Sequence, residues 1–294
     1  MNDEKFPIRE IQKKQLDILV YFRDFCREHD LYFVLAGGTC LGAVRHKGFI
    51  PWDDDIDVFM MREDYEKLPG LWKKYADTRR YSCVRSNKKY NIHHTATEIK
   101  DNHTTFINKH SVDLDIHQGV MIDVIPLDGI PQSKWKRFLQ MIDSMVYCCF
   151  NFQRLPEHKS RAVYYLTKLA LSTVRSGKMR YFLWRRAEAR LSRYPVRECD
   201  YVASLGEGMT IMRQRLKKEW MTHAVEMEFE GYQMPLPAGY HEFLSISYGD
   251  YMKLPPKEER VLRHTILFMD LNHSYKRYKG IKYCVTDKGK REGN

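Results

Sequence analysis

The sequence predicts a mixed α/β fold, with a mixed-sheet core flanked by helices and a mainly helical C-terminal region packed on it. Three observations carry that expectation. Apolar runs of strand length alternate with amphipathic helical patterns through the first 130 residues. From Ser133 to about Lys218 the pattern becomes mainly helical and rich in Arg, Lys and Tyr. A chain of 294 residues, 43% hydrophobic, is long enough to bury a sizeable core. Residues 1–130 are read as the core and 131–294 as a helical region that packs on it and closes the site, as two units or one integrated domain.

Each element has a local reason. Ile8, Ile11, Leu16, Leu19, Val20, Phe22, Phe25 and Cys26 recur at spacings near three and four, which predicts an opening helix ending near His29-Asp30. Leu31–Ala36 reads as a buried strand stopped at Gly37-Gly38. Thr39 is placed to cap a short helix over Cys40–His46, its N-terminal amides facing whatever lies beside the glycines. Gly48 and Pro51 make a loop, and Ile56–Met61 is a second strand. Glu63–Tyr75 is helical with an interruption at Pro69-Gly70. Thr95–Lys100 and Gly119–Ile125 look like further strands, the latter stopped by Pro126. Val225–Leu236 forms a hairpin around Glu230-Gly231, Ala238–Tyr248 a helix, and the polar tail after Lys279 is expected to fray.

Composition narrows the function classes. The formal charge is +11, with basic residues dense between Lys134 and Lys218. Nucleic acid, an anionic membrane face or phosphorylated substrates would each suit it, and a solvated helical surface accounts for many of these residues. The seven cysteines lack CxxC spacing and read as reduced thiols. His93-His94 reads as structural or exposed. No apolar run approaches the ~18 residues of a membrane span, and the patch at Tyr164–Val174 is interrupted by Lys168. The charged N-terminus has no apolar h-region, so the expected location is cytoplasmic.

The chemistry concentrates in LAGGTCLGAVRHKGFIPWDDDIDVFM, Leu35 to Met60. Asp53, Asp54, Asp55 and Asp57 repel one another unless water, basic partners or a metal compensates. On a strand that begins a residue or two before Ile56, Asp55 and Asp57 point the same way, roughly 6–7 Å apart, and Asp54 points elsewhere. Such a pair suits Mg²⁺ (or Mn²⁺), with substrate phosphates completing the shell. Asp123, an acid inside the apolar GVMIDVIPLD, is the candidate third ligand. An EF-hand is rejected, because its glycine and glutamate positions hold Val58 and Asp64. An acidic surface loop explains the run alone, but not the run together with the glycine turn, the Arg45-His46-Lys47 triplet and the strand acid.

GGTCLGAVRHKGFIPWDDDIDV resembles the signature of the LicD family, within the wider nucleotidyltransferase fold. The resemblance extends over REIQKKQLDIL, REDYEKL at Arg62–Leu68, IDVIPLDG at Ile122–Gly129 and YGDYMKLPPKEER at Tyr248–Arg260. It implies a metal-dependent phosphotransferase that moves phosphocholine or a related phosphoalcohol from a CDP-linked donor, CDP-choline being favoured, to a glycan that is lipid-linked in some settings. The human fukutin group is similar and uses CDP-ribitol. By position, Gly38 and Thr39 match the turn that lets donor phosphates approach the backbone, Asp55 and Asp57 the paired metal acids, and Asp123 the third acid of the wider superfamily. On an adjacent strand, where it can face the nucleophile, Asp123 is also read as the general base. Asp53 matches an acidic position beside the metal. Where relatives often carry a basic residue this chain has Glu98, leaving Lys100 as the nearby cation. Arg45, His46 and Lys47 are placed to stabilise phosphate charge, and Lys253, Arg260 and His264 to close the site. Trp52 is either a core anchor or a stacking surface. A peripheral association with the inner membrane face is expected and nucleic acid is not. A nucleotidyltransferase acting on nucleic acid, and a non-catalytic binding protein on the same fold, remain the alternatives from other classes.

Overall fold

The computed structural model describes residues 7–156, 161–262 and 264–285. Helix α1 (Ile8–Glu28) leads through β1 (Phe33–Leu35), α2 (Gly37–His46) and β2 (Asp57–Met61) into α3 (Arg62–Tyr75). The buried stripe of α1, with Ile11, Ile18, Leu19, Phe22 and Phe25, meets β1 and α3: the Phe22 and Phe33 rings lie 5.0 Å apart and those of Phe25 and Trp72 4.7 Å. Contrary to the expected interruption, α3 runs through Pro69. Tyr65, Leu68 and Trp72 are buried at spacings of three and four, and that burial offsets the backbone hydrogen bond Pro69 cannot donate.

The chain continues through β3 (Tyr81–Val84), β4 (Thr97–Asp101), β5 (Thr105–Asn108) and β6 (Met121–Ile130). The main sheet has the order β1-β2-β6-β4-β3. β2 and β6 are parallel, whereas β1 pairs with β2, and β4 with β6, in antiparallel fashion. β6 does not stop at Pro126. The Asp123 N–H donates to Ile56 O across the β2 edge, so Pro126, three residues on, turns its nitrogen to the opposite edge. There β4 pairs as far as Val124 and a later strand takes over at Leu127, so the missing donor falls at the changeover.

That later strand corrects a second expectation. After α4 (Lys134–Phe152), α5 (Arg161–Thr173) and α6 (Gly177–Leu191), the stretch expected to be mainly helical yields β7 (Tyr201–Ser204), α7 (Met209–Met212), β8 (Leu216–Lys217) and α8 (Lys218–Met221). β7 pairs antiparallel with β6 and carries β8 on its other edge. Under α4 and α6 lies a second apolar cluster that includes Ile130, Tyr147, Phe150, Trp184, Leu191 and Ala203.

The hairpin of β9 (Ala224–Phe229) and β10 (Tyr232–Pro237) turns at Glu230-Gly231 as expected, both with positive φ, the geometry of a tight two-residue turn. α9 (Tyr240–Tyr248) follows, and β11 (Ile266–Asp270) pairs back onto β5. The tail is anchored past Lys279, since Tyr283 is buried and Lys279 pairs with Asp115 at 2.6 Å. Residues 286–294, also expected to fray, lie outside the described residues.

Candidate active site

The register of three neighbouring strands builds the site. Asp57 of β2 stands opposite Asp123 of β6, and Asp123 stands opposite Glu98 of β4. In-register residues on adjacent strands point to the same face, so three acids form a row. β2 begins at Asp57, later than the alternation argument needs, and Asp55 sits in the preceding loop. Asp55 still joins the group: its charge acts on both Asp57 and Asp123. Burial, then the charges of Asp55 and Asp123, push the Asp57 carboxyl well above its ordinary value. Burial likewise raises Asp123 to about 6, against the opposing pull of His94.

α1 and α2 hold the acidic loop in place. Gln12 donates to the Asp53 carbonyl at 2.9 Å and Gln15 to the Asp54 carbonyl at 2.8 Å, which gives the QKKQ segment a positional role. α2 starts at Gly37, so Thr39 does not cap it; its hydroxyl accepts the Asp57 N–H at 2.9 Å instead. Gly37 has φ +46°, and a Cβ there would lie 3.3 Å from Asp57 Oδ2. A Cβ on Gly38 would lie 2.6 Å from Asp53 Oδ2. The two glycines let these carboxylates approach the first turn of α2, whose unpaired amides favour negative charge.

A basic cluster stands at the C-terminal end of α2. Arg45 donates to His46 Nε2 and to the Tyr251 carbonyl, both at 2.9 Å, and to the Lys253 carbonyl at 3.5 Å. The Arg260 guanidinium lies 5.6 Å from the Trp52 ring centre, and His46 packs edge-on against the same ring. Burial and then the Arg260 charge lower the pKa of Arg45, so two like charges are gathered here. Tyr248 lies between the two groups, its hydroxyl 3.7 Å from the Gly37 Cβ position and close enough to Arg45 to act on it electrostatically.

Of the expected site residues, Asp55, Asp57 and Asp123 come together with Gly38 and Thr39, and Arg45, His46, Trp52 and Arg260 form the second group. His46 accepts from Arg45, and burial lowers its pKa, so it serves as a neutral neighbour rather than a cation. Lys47 turns away: it ends α2 with φ +55° and points to Glu228 of the hairpin, 3.9 Å off. The exposed Lys253 offers its carbonyl to Arg45. Lys100 is buried, 3.0 Å from Glu98, and donates to the His117 carbonyl. His264 accompanies Asp54 at 3.0 Å, and that hydrogen bond raises it to about 9.

Three neighbours of the acids had no site role assigned from the sequence: His94, expected to be structural or exposed, Glu98, noted only as a departure, and Glu207. His94 lies 3.3 Å from Glu98 and 3.9 Å from Asp123. Burial opposes its charge, but Asp123 and Glu98 prevail and raise it to about 9. Burial alone would raise Glu98, yet Lys100 and His94 hold it down at about 2. Glu207, just after β7, faces His94 and Asp123, and burial lifts it to about 7. The available signals were the period-two spacing of Glu98 and Lys100 and the strand-like YVASLG before Glu207. A cavity of about 290 Å³ opens beside the acids, lined among others by Asp54, Asp55, His94, Phe106, Phe152 and His264.

The residues fit a divalent cation. Asp123 Oδ1 and Asp54 Oδ2 are buried and make no hydrogen bond among the described residues. The cationic side chains nearby are matched already, His94 and Lys100 to Glu98 and His264 to Asp54. The oxygen-rich donor set suits a hard ion. Ligand atoms of His94, Glu98 and Asp123 also lie within 4.8 Å of one another.

Residues 30–136 match the family model described as LicD/FKTN/FKRP, nucleotidyltransferase domain. The chain is 32% identical over 273 residues to the lipopolysaccharide cholinephosphotransferase LicD of Haemophilus influenzae, covering 89% of this chain and 97% of that protein. Shorter matches reach uncharacterised proteins of Rickettsia typhi, 39% identical over 56 residues (18% of each chain), and of Rickettsia prowazekii, 40% over 66 residues (21% of this chain, 25% of that one).

Proposed function

The chain belongs to the LicD family and is a phosphotransferase of that type, and we propose that it transfers phosphocholine from CDP-choline to a hydroxyl of a cell-surface glycan, releasing CMP. The observation that carries the reading is the in-register pair Asp57–Asp123, with Asp55 beside it and the first turn of α2 against it. Asp55, Asp57 and Asp123 would hold Mg²⁺ or Mn²⁺. A bound divalent ion supplies charge neutralisation for the donor pyrophosphate.

The remaining steps belong to the side chains. Arg45 and Arg260 bind the donor phosphates, and Trp52 offers the face against which Arg260 is held. Asp123 accepts the proton of the attacking glycan hydroxyl. The glycan oxygen then bonds to the choline-bearing phosphorus while the bond from that phosphorus to the CMP oxygen breaks. A trimethylammonium group has no hydrogen-bond donors and suits aromatic faces, which the cavity supplies in Phe106 and Phe152. A polyol would instead require hydroxyl partners.

Incubation with CDP-choline, CDP-ribitol or CDP-glycerol, with CMP release followed by chromatography, tests the reading. CMP should appear with CDP-choline, cease with EDTA and return with Mg²⁺. Release from CDP-ribitol alone would keep the phosphotransferase and overturn the choline assignment. Metal-independent release would overturn the role given to the three acids.

A further inference from the structure

The helical region carries apolar side chains on two opposite sides. α4 buries Ser144, Tyr147, Phe150 and Asn151 toward the core. Yet Trp135, Phe138, Ile142 and Met145 are exposed along a stripe on its far side, Trp135 at 65%. α5 buries no residue at all. Its Ala170 and Leu171, with Val174 just after it, pack toward the second cluster, while Tyr165, Leu166 and Leu169 stand 63%, 66% and 63% exposed. On α6, Phe182 is exposed with the Arg186 guanidinium 5.9 Å from its ring. Single exposed apolar residues are ordinary, but outward apolar stripes on consecutive helices mark a contact surface.

Charge identifies the occupant. Residues 134–193 contain 14 Lys and Arg against 3 Asp and Glu. Two of those acids are already engaged inward, Asp143 by Arg190 and Glu188 by Arg62 and Arg85. The outward charge is therefore basic, with Lys134, Lys136, Lys168, Arg175, Lys178 and Arg186 all exposed. Self-association through a two-fold axis would bring like basic rims face to face. Among the described residues no helix is long and apolar enough to cross a membrane.

We propose that α4, α5 and α6 dock on an anionic lipid surface. Trp135, Phe138, Tyr165, Leu166, Leu169 and Phe182 enter the headgroup boundary, and the flanking Lys and Arg meet lipid phosphates. The proposal does not rest on the catalytic reading, since lipid binding needs neither donor nor acceptor.

Flotation of the full chain with vesicles tests it. Binding to phosphatidylcholine containing phosphatidylglycerol should exceed binding to phosphatidylcholine alone at least tenfold, and high salt should weaken it. Lys168→Gln and Lys178→Gln should each lower binding roughly fivefold. Leu166→Ser with Leu169→Ser should lower it on both lipids, with circular dichroism unchanged because neither side chain is buried. Brominated lipid should quench Trp fluorescence in the wild type and less in Trp135→Phe. Equal binding to both vesicles, or wild-type binding by the serine variant, would overturn the proposal. So would a dimer in buffer that the serine variant dissolves, since the face would then belong to a second copy.

Discussion

Asp57→Asn should stabilise the metal-free protein while abolishing transfer. Asp57 faces Asp123 in register across strands about 4.8 Å apart. Two full charges about 5 Å apart, at an effective dielectric of about 20, repel by about 3 kcal/mol. Burial and the charges of Asp55 and Asp123 already push Asp57 well above its ordinary 3.8, so protonation relieves part of that repulsion. The remaining gain on neutralisation is about 1–2 kcal/mol, or a rise in Tm of about 2–4 °C for a chain of this length. The sign follows from linkage. A carboxyl whose folded pKa is raised favours the fold below its unfolded pKa, and that support is lost as pH rises through the folded pKa. The variant should thus gain most at neutral pH and match the wild type in acid.

The assay is thermal unfolding with and without Mg²⁺, beside CMP release. Mg²⁺ should raise the Tm of the wild type, because it binds the folded state, and leave the variant nearly unmoved. Turnover should fall by a factor on the order of 10³. A lower Tm in the absence of metal would mean that the Asp57 charge is satisfied within the fold. A retained Mg²⁺ shift, or near-wild-type turnover, would remove Asp57 from the metal site.

Three further outcomes are expected. Asp54→Asn should cost about 1 kcal/mol in denaturant unfolding, because it weakens the part-buried bond to His264, and should reduce turnover far less than Asp57→Asn. Burial and then Lys100 hold His117 at about 3, and its Nδ1 accepts the Gly119 N–H, so the ring folds neutral. Such a group supports the fold above the unfolded value near 6.5 and loses that support as pH falls toward 3, so His117→Gln should flatten the pH dependence of denaturant unfolding across this window. Gly38→Ala should displace the Asp53 carboxylate and lower kcat more than it raises KM, since the added Cβ occupies its place.

Much of the site was legible because its residues are local. The acidic run, the glycine turn and the 230–231 hairpin turn lie in short stretches where spacing and turn chemistry speak directly. Asp123 was legible because an acid inside an apolar strand needs a reason. What stayed hidden depends on tertiary pairing. The missing N–H of Pro126 is harmless only because β4 hands over to β7 at that residue, which no local pattern reveals. β7 lay in a basic stretch that reads as helix, and Glu207 was hidden with it. Lys47 looked like a phosphate ligand beside Arg45, but the left-handed backbone that ends α2 turns it toward Glu228.

Arg62 and Asp128 belong to two of the family segments, yet the sequence assigned neither a task. Arg62 directly follows β2, and Asp128 lies five residues beyond Asp123, so the parallel register that pairs Met61 with Leu127 brings them side by side. The guanidinium grips the carboxylate through two bonds of 2.7 Å, both groups being buried. A one-residue slip would carry Asp57 away from Asp123 and break this pair together, so the ion pair specifies the register that makes the site. Asp128→Ala leaves a buried guanidinium short of its partner and should cost about 3–5 kcal/mol, read from denaturant unfolding. Arg62→Met combined with Asp128→Leu should recover part of that stability, since apolar side chains of similar volume replace the pair, while Glu188, which Arg62 also engages, loses that cation and keeps Arg85. Turnover should not recover with it, because nothing polar then fixes the register. Full activity in the double variant would show that the strands find their alignment without the pair.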